Sequence, residues 1–216
     1  MKVLRFNKVV LAAAICALAV PALADDTMTT NETAAAMMTP ADFAWDAALI
    51  NLKEIRLGEA AQSNSQNTAV QEFGRHMVQD HSKMNDRLMK IAADEGLQLP
   101  DTNIFYVPVT APEDKPATEL MNETPQQKLQ DAQLDVQQMA SLTGTDFDQA
   151  YSAAMVKGHE KAIQKFEDAS ASLQDKPLKK YADKGLKNIR HHYEMAQQLQ
   201  SEVTSGTNAP ANNSPM

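Results

Sequence analysis

The sequence predicts an all-α fold: an antiparallel bundle of four long helices, with a long crossover between the second and third that carries a short extra helix. Three observations lead there. Apolar residues recur at alternating steps of four and three through four separate segments, the seam of a left-handed bundle. The loops joining the first segment to the second, and the third to the fourth, are short, which makes each pair an antiparallel hairpin. Only seven glycines and few β-branched runs argue against a barrel.

The first helix opens with Thr39 as N-cap, Pro40 at the first helical position and Asp42 three residues after the cap. Its stripe is Phe43, Ala47, Ile50, Glu54, Leu57 and Ala61, followed by a polar loop from Asn64 to Asn67. The second is capped by Thr68 with Gln71 in a capping-box pattern. Its stripe is Val70, Gly74, Met77, His81, Met84, Leu88 and Ile91, with Phe73 alongside, and Gly96 ends it. Residues 97–123 form the long connection, with Pro100, Pro108, Pro112 and Pro116. Thr124-Pro125 opens the short helix, 125–142, with Leu129, Val136, Met139 and Leu142 as apolar contacts and Gly144 closing it. The third long helix starts near Thr145 and Asp146 and presents Phe147, Tyr151, Met155, His159, Ala162, Phe166, Ala169 and Leu173. The fourth follows Asp175 and Pro177 and presents Leu178, Ala182, Gly185, Ile189, His192, Ala196, Leu199 and Val203. The long link between second and third helices is the pattern of a ferritin-like bundle spanning residues 39–204.

Residues 1–24 read as a secretory signal peptide. Lys2, Arg5 and Lys8 form the positive front, Val9 to Val20 an apolar run too short to cross a bilayer, and Ala22-Leu23-Ala24 a small-x-small cleavage site. Cys16, the only cysteine, follows Ile15 rather than a small residue, so a lipid anchor is not expected. Cleavage after Ala24 removes Cys16, so the mature chain forms no disulfide even in the oxidising periplasm. Residues 25–38 and 205–216 are polar, lack apolar periodicity and are expected to be flexible tails. The signal holds three of the 20 Lys and Arg and none of the 28 acids. The mature chain is therefore acidic, which argues against nucleic acid or anionic lipid as partner. No later apolar run reaches the ~20 residues of a membrane helix.

Each apolar stripe is interrupted by one strongly polar residue: Glu54, His81, His159 and His192. An unpaired buried polar group costs ~1–3 kcal/mol. Four of them would consume much of a typical ~5–15 kcal/mol of stability. They must be satisfied by each other, by water or by a metal. One carboxylate and three imidazoles suit zinc, copper, iron or manganese, and bundles build metal sites from inward side chains on facing helices. The alternative is a non-catalytic structural or interaction protein in which the Glu/His layer only fixes helix register. With the first loop centred near residue 65, Glu54 lies about 11 residues before it and His81 about 16 after, a mismatch of roughly 7 Å at 1.5 Å per residue. His159 and His192 differ by only about three residues about their loop, roughly 4–5 Å, so the histidines meet more easily than Glu54 joins them.

Methionines flank the histidines: Met77 and Met84 around His81, Met155 before His159, Met195 after His192. Thioethers beside imidazoles suit copper, and methionines also fill cores. A di-iron site wants about four carboxylates with two Glu-x-x-His pairs. Here only Glu54 lies on a seam, so redox catalysis with oxygen is not expected. Glu72, Asp80, Glu160 and Glu194 fall off the stripes and are expected to be solvated, as are His76 and His191. There is no Gly-x-Ser-x-Gly elbow, no phosphate-cradling glycine loop, and no aromatic-interleaved basic stretch.

The second and third long helices echo each other. Phe73-x3-Met77-Val78-x2-His81-x-Lys83 matches Tyr151-x3-Met155-Val156-x2-His159-x-Lys161, which gives His81 and His159 equivalent core roles. The chain also resembles the bacterial domain-of-unknown-function family 4142, described as ferritin-like proteins of the outer membrane or periplasm. The resemblance runs over about residues 40–200. Its pieces are Phe43 through Ala61 with Glu54-Ile55, the run Phe73 to His81, Gly144-Thr145-Asp146-Phe147-Asp148 with Tyr151, Met155 to His159, and His192-Tyr193-Glu194-Met195-Ala196. The family's recurrent polar positions fall on Glu54, His81, His159 and His192, and Asp80 also matches. The resemblance implies a ferritin-like bundle and an envelope location, and carries no established reaction. The third helix also faintly resembles a small periplasmic family with a Met-x-x-His-His signature associated with copper handling, although Gly158 stands where the first of those histidines would be. The expected function is binding of one metal ion in metal homeostasis or envelope stress.

Overall fold

The computed structural model describes residues 38–103, 105 and 124–206. The expected signal peptide, nearly all of the N-terminal tail, most of the crossover with Pro108, Pro112 and Pro116, and residues 207–216 lie outside the described residues. Among the described residues there are five α-helices and no strand. No helix there is long and apolar enough to cross a membrane.

Helix α1 spans Pro40–Asn64, α2 Thr68–Glu95, α3 Pro125–Ala140, α4 Gly144–Ser172 and α5 Lys176–Ser205. The start signals act as the sequence implies. Thr39 Oγ1 accepts from the Asp42 amide at 3.1 Å, Asp175 Oδ1 from the Leu178 amide at 2.8 Å, and Thr124 and Gln127 form a reciprocal capping box. Gly96 and Gly206 end α2 and α5 with φ of 67° and 64°, the left-handed conformation that only glycine adopts without strain.

Two boundaries differ from expectation. The cap of α2 is Asn67, whose side chain accepts from the Ala69 amide at 2.9 Å, so Thr68 is already helical. Gln71 donates instead to the Ser65 carbonyl at 2.8 Å. Gly144 does not close α3; it is the first residue of α4. The job expected of it is done by Asn64, at the end of α1, whose Nδ2 donates to the Ala140 and Leu142 carbonyls at 2.9 and 2.8 Å. A side chain from another helix thus satisfies the last carbonyl of α3 and that of Leu142 just beyond it.

Helix α1 packs along α2, and α4 along α5. The first pairing is antiparallel: Asn51 opposite His81 and Gly58 opposite Gly74 are both symmetric about Gln66 in the connecting loop. Gly58 and Gly74 set the spacing. A Cβ on Gly58 would lie 2.5 Å from the Gly74 carbonyl oxygen, so the two backbones meet where neither residue can carry a side chain. In the second hairpin Phe166 lies against Gly185, and Ser170 bonds Asp183. Helices α2 and α5 meet, as do α1 and α4. Helix α3 lies on α1, held by Lys128 to the buried Asp46 at 2.8 Å and by a Lys53–Asp135 ion pair; Lys165 of α4 reaches the same Asp46.

The core has two apolar clusters. One is built on Phe43, Leu88, Phe166, Leu178 and Ile189, the other on Phe73, Met77, Phe147, Tyr151 and Met155. On α2, α4 and α5 the chain passes from one cluster to the other across a single buried histidine: Met77 to Met84 across His81, Met155 to Ala162 across His159, Ile189 to Ala196 across His192. On α1 the same passage, from Ala48 to Leu57, spans Asn51 and Glu54. The polar residues form one layer between two apolar halves.

Candidate metal centre

The 4-3 periodicity that turns the stripes inward also turns these polar residues inward. His81, His159 and His192 are each at most 2% exposed, and Glu54 is buried as well. One ring nitrogen from each histidine lies within 4.8 Å of one from each of the others. The ring centroids are 6.0 Å apart for His81 and His159, 5.3 Å for His81 and His192, and 5.6 Å for His159 and His192. Glu54 is not part of that close set. It lies against Gly158 of α4, where a Cβ, if present, would sit 3.6 Å from Glu54 Oε1.

Each ring has one nitrogen engaged and one left over. His81 Nδ1 donates to Asn51 Oδ1 at 3.0 Å; Asn51 Nδ2 is committed to the Tyr181 hydroxyl at 2.9 Å. His159 Nδ1 donates to the Met155 carbonyl at 2.8 Å, an oxygen that can only accept. His192 Nε2 donates to Asp80 Oδ2 at 3.2 Å. Each of these acceptors takes a ring proton, and in a neutral imidazole held that way the opposite nitrogen carries a lone pair. Those nitrogens, His81 Nε2, His159 Nε2 and His192 Nδ1, are buried with no hydrogen-bond partner among the described residues. At ~1–3 kcal/mol each, the three would cost about 3–9 kcal/mol if nothing satisfied them.

Burial also keeps rings neutral. It pushes His81 well below the ordinary histidine range, with the neighbouring His192 and His159 adding to the effect. It pushes His192 down to about 4, helped by His159 and opposed by Asp80. Partial burial works to raise the Asp80 carboxyl, but hydrogen bonds from His192 and Lys83 outweigh it and leave Asp80 below its ordinary value. Two neutral imidazoles and a tautomer-fixing second layer are what a metal-ligand set requires.

The expectation that Asp80 is solvated is therefore corrected. It lies on the flank of α2, about a third exposed, one residue from His81, and binds His192 across the α2–α5 contact. Glu160, Glu194 and His191 are exposed as expected, while Glu72 and His76 are half-buried. Asn51, fully buried, escapes a reading of the sequence because asparagine is ordinary on a helix surface. Its signal is positional: it stands one turn before Glu54, at the place symmetric with His81 about the loop.

Glu54 Oε2 and the Tyr151 hydroxyl are also buried without partners. Burial raises the Tyr151 hydroxyl well above its ordinary value, and the Glu54 charge raises it further. The echoed segments face each other across the core: Phe73 meets Tyr151 edge-on at 6.0 Å and His81 meets His159 at 6.0 Å.

Among solved structures, the chain is similar to a protein described as a secreted DUF305 protein from Streptomyces coelicolor. The TM-score is 0.54 at 11% identity, over 75% of this chain and 91% of that one. At that identity the likeness speaks to the helical fold alone. No curated protein matches the chain. The family DUF4142, a domain of unknown function, matches residues 26–199, as the resemblance of the seam motifs implied, and the chain belongs to that family.

Proposed function

We propose that this protein is an exported ferritin-like four-helix bundle that binds a single transition-metal ion through His81 Nε2, His159 Nε2 and His192 Nδ1, in a metal-homeostasis or envelope-stress role. Two observations carry the reading: the three rings approach so closely that one nitrogen of each lies within 4.8 Å of the others, and each ring has one buried, partnerless nitrogen while its opposite nitrogen is tied down. Three histidines with an open fourth position form an established zinc environment, and imidazole equally suits copper, nickel and iron. Zinc–nitrogen bonds of about 2.0–2.1 Å place tetrahedral ligands about 3.3 Å apart. Loading therefore draws the rings together from separations of up to 4.8 Å. Glu54, with an unsatisfied buried oxygen on the same layer, is the proposed fourth donor, direct or through a water. The periplasmic location rests on the signal-like residues 1–24, supported by the likeness to a protein described as secreted.

The test is titration of the chelator-treated protein with Zn(II) and with Co(II), whose visible spectrum reports coordination geometry. One equivalent should bind, with the intense bands of a four-coordinate site, and His159→Ala and His192→Ala should each abolish it. If folded protein takes up neither ion, the layer serves only to fix helix register and the metal reading is lost.

A further inference from the structure

A second feature stands apart from the histidine layer. Between α2 and α5 lies a half-open groove of about 490 Å³. Its rim carries five cations: Arg87 and Lys90 from α2, and Lys176, Lys180 and Lys184 from α5. Its floor is apolar, formed by Met84, Ile91, Pro177 and the ring of Tyr181. No acidic residue lines it, although the whole chain has 28 acids against 20 Lys and Arg.

Three considerations make this more than a solvated face. Lys176, Lys180 and Lys184 succeed one another at steps of four, where like charges on a helix repel. Among the described residues none of the three forms an ion pair: the pairs run elsewhere, Asp80 to Lys83, Glu167 to Arg190, Asp46 to Lys128 and Lys165. Gly185 lines the groove, and a Cβ there would press to 3.2 Å from the Met84 methyl and 2.6 Å from the Phe166 ring, so the groove wall carries no side chain at that point. The polar end of Tyr181 is already engaged by Asn51, so the groove presents that side chain's ring rather than its hydroxyl.

We propose that this groove binds a small amphiphilic anion, its apolar body on Met84, Ile91 and Tyr181 and its anionic head among Lys180, Lys184 and Arg87. The volume falls in the range of small-molecule sites, about 300–1,000 Å³. Cations over an apolar floor match a ligand with both characters. A long polyanion is disfavoured, because the rest of the surface is acidic and would repel it. Recognition here needs no metal, so it stands or falls separately from the histidine site.

The experiment uses a matched pair of fluorescent probes on the full chain, with and without chelator: 8-anilinonaphthalene-1-sulfonate, and N-phenyl-1-naphthylamine, which has the same rings and no charge. The sulfonate should bind one to one with a dissociation constant of about 10–100 µM, and the neutral probe at least about tenfold more weakly. The double variant Lys180→Glu with Lys184→Glu should weaken the sulfonate by about tenfold or more, at unchanged helical circular dichroism. The control Lys157→Glu with Lys161→Glu, exposed lysines on α4, should leave it unchanged. Equal affinity for the neutral probe overturns the proposal in favour of a plain apolar patch. Displacement by equimolar inorganic sulfate overturns it in favour of a free-anion site. Insensitivity to the charge reversal, or equal sensitivity in the control, reduces it to nonspecific adsorption.

Discussion

Asn51 Oδ1 accepts the Nδ1 proton of His81 at 3.0 Å, and the same amide donates to Tyr181 at 2.9 Å, so one fully buried side chain of α1 links α2 to α5 within the polar layer. Asn51 thereby sets which nitrogen of His81 is free. Asn51→Leu keeps much of the volume and removes both bonds, leaving the His81 N–H and the Tyr181 hydroxyl without partners. Urea unfolding of the metal-free protein should show a loss of about 2–4 kcal/mol. Zinc affinity should fall by about 10–100-fold, the usual effect of removing a partner that orients a ligand. Lost stability with unchanged affinity would assign Asn51 a purely structural role.

Acid should destabilise the metal-free protein before carboxylates protonate. His192 has a folded pKa of about 4 against an ordinary 6.5, because it is buried and beside His159. His81 is lowered in the same direction by burial and by the other two rings. Between those limits the unfolded chain binds protons that the folded chain does not, so stability rises with pH. Stability is therefore full above about pH 6.5 and falls as pH drops toward 4, by about 3 kcal/mol from His192 alone. Urea midpoints measured from pH 7.5 to 4.5 in EDTA should decline steadily. A flat profile over that range would mean that these rings take up protons as readily in the folded chain as in the unfolded one.

The periodic part of the structure was legible because burial obeys spacing. Met77, His81, Met84 and Leu88 face inward for one reason, their shared 4-3 step, and His159 and His192 follow the same logic. The relative heights along the helices were legible too, since 1.5 Å per residue set Glu54 off from His81 and left a different α1 residue level with it. What spacing alone leaves open is the partner of each polar atom. Asp80 lies beside the seam rather than on it, and only the packing of α2 against α5 brings it to His192. The hold of Asn64 on the end of α3 joins residues 76 and 78 positions apart, which no local pattern encodes.

The close approach of α1 and α2 makes two glycines irreplaceable and a third dispensable. A Cβ on Gly74 would fall 2.6 Å from the Ala61 Cβ and 2.8 Å from the Gly58 carbonyl oxygen, both carried on backbone that cannot swing aside. Gly74→Ala should cost about 1–3 kcal/mol as the helices are forced apart. At Gly158 the nearest neighbour of an added methyl is Glu54 Oε1, at an ordinary 3.6 Å. There the better helix propensity of alanine, up to about 1 kcal/mol, should prevail. Thermal unfolding of the two single variants should move in opposite directions; a shared direction would contradict the tight α1–α2 contact at Gly74 or the open space at Gly158.

Helix α3 depends on a charge that α1 buries. Asp46 is 7% exposed and takes Lys128 from α3 at 2.8 and 3.0 Å together with Lys165 from α4. Both lysines keep about a third of their side chains in solvent, which screens the pairs and limits their worth. Lys128→Met leaves Asp46 paired with Lys165, so the buried carboxylate is not stranded. Global stability should then change by less than about 1 kcal/mol. Local opening should respond more strongly, because α3 contributes only two buried side chains, Ala132 and Val136, to hold itself in place. Hydrogen exchange should accelerate across Pro125–Ala140 while α2 and α5 keep their protection. Asp46→Ala releases both lysines into water and should loosen α3 to the same degree at a somewhat larger global cost, about 1–2 kcal/mol. If α3 exchange is unaltered in both variants, its apolar contacts with α1 suffice and the ion pairs at Asp46 are incidental to docking.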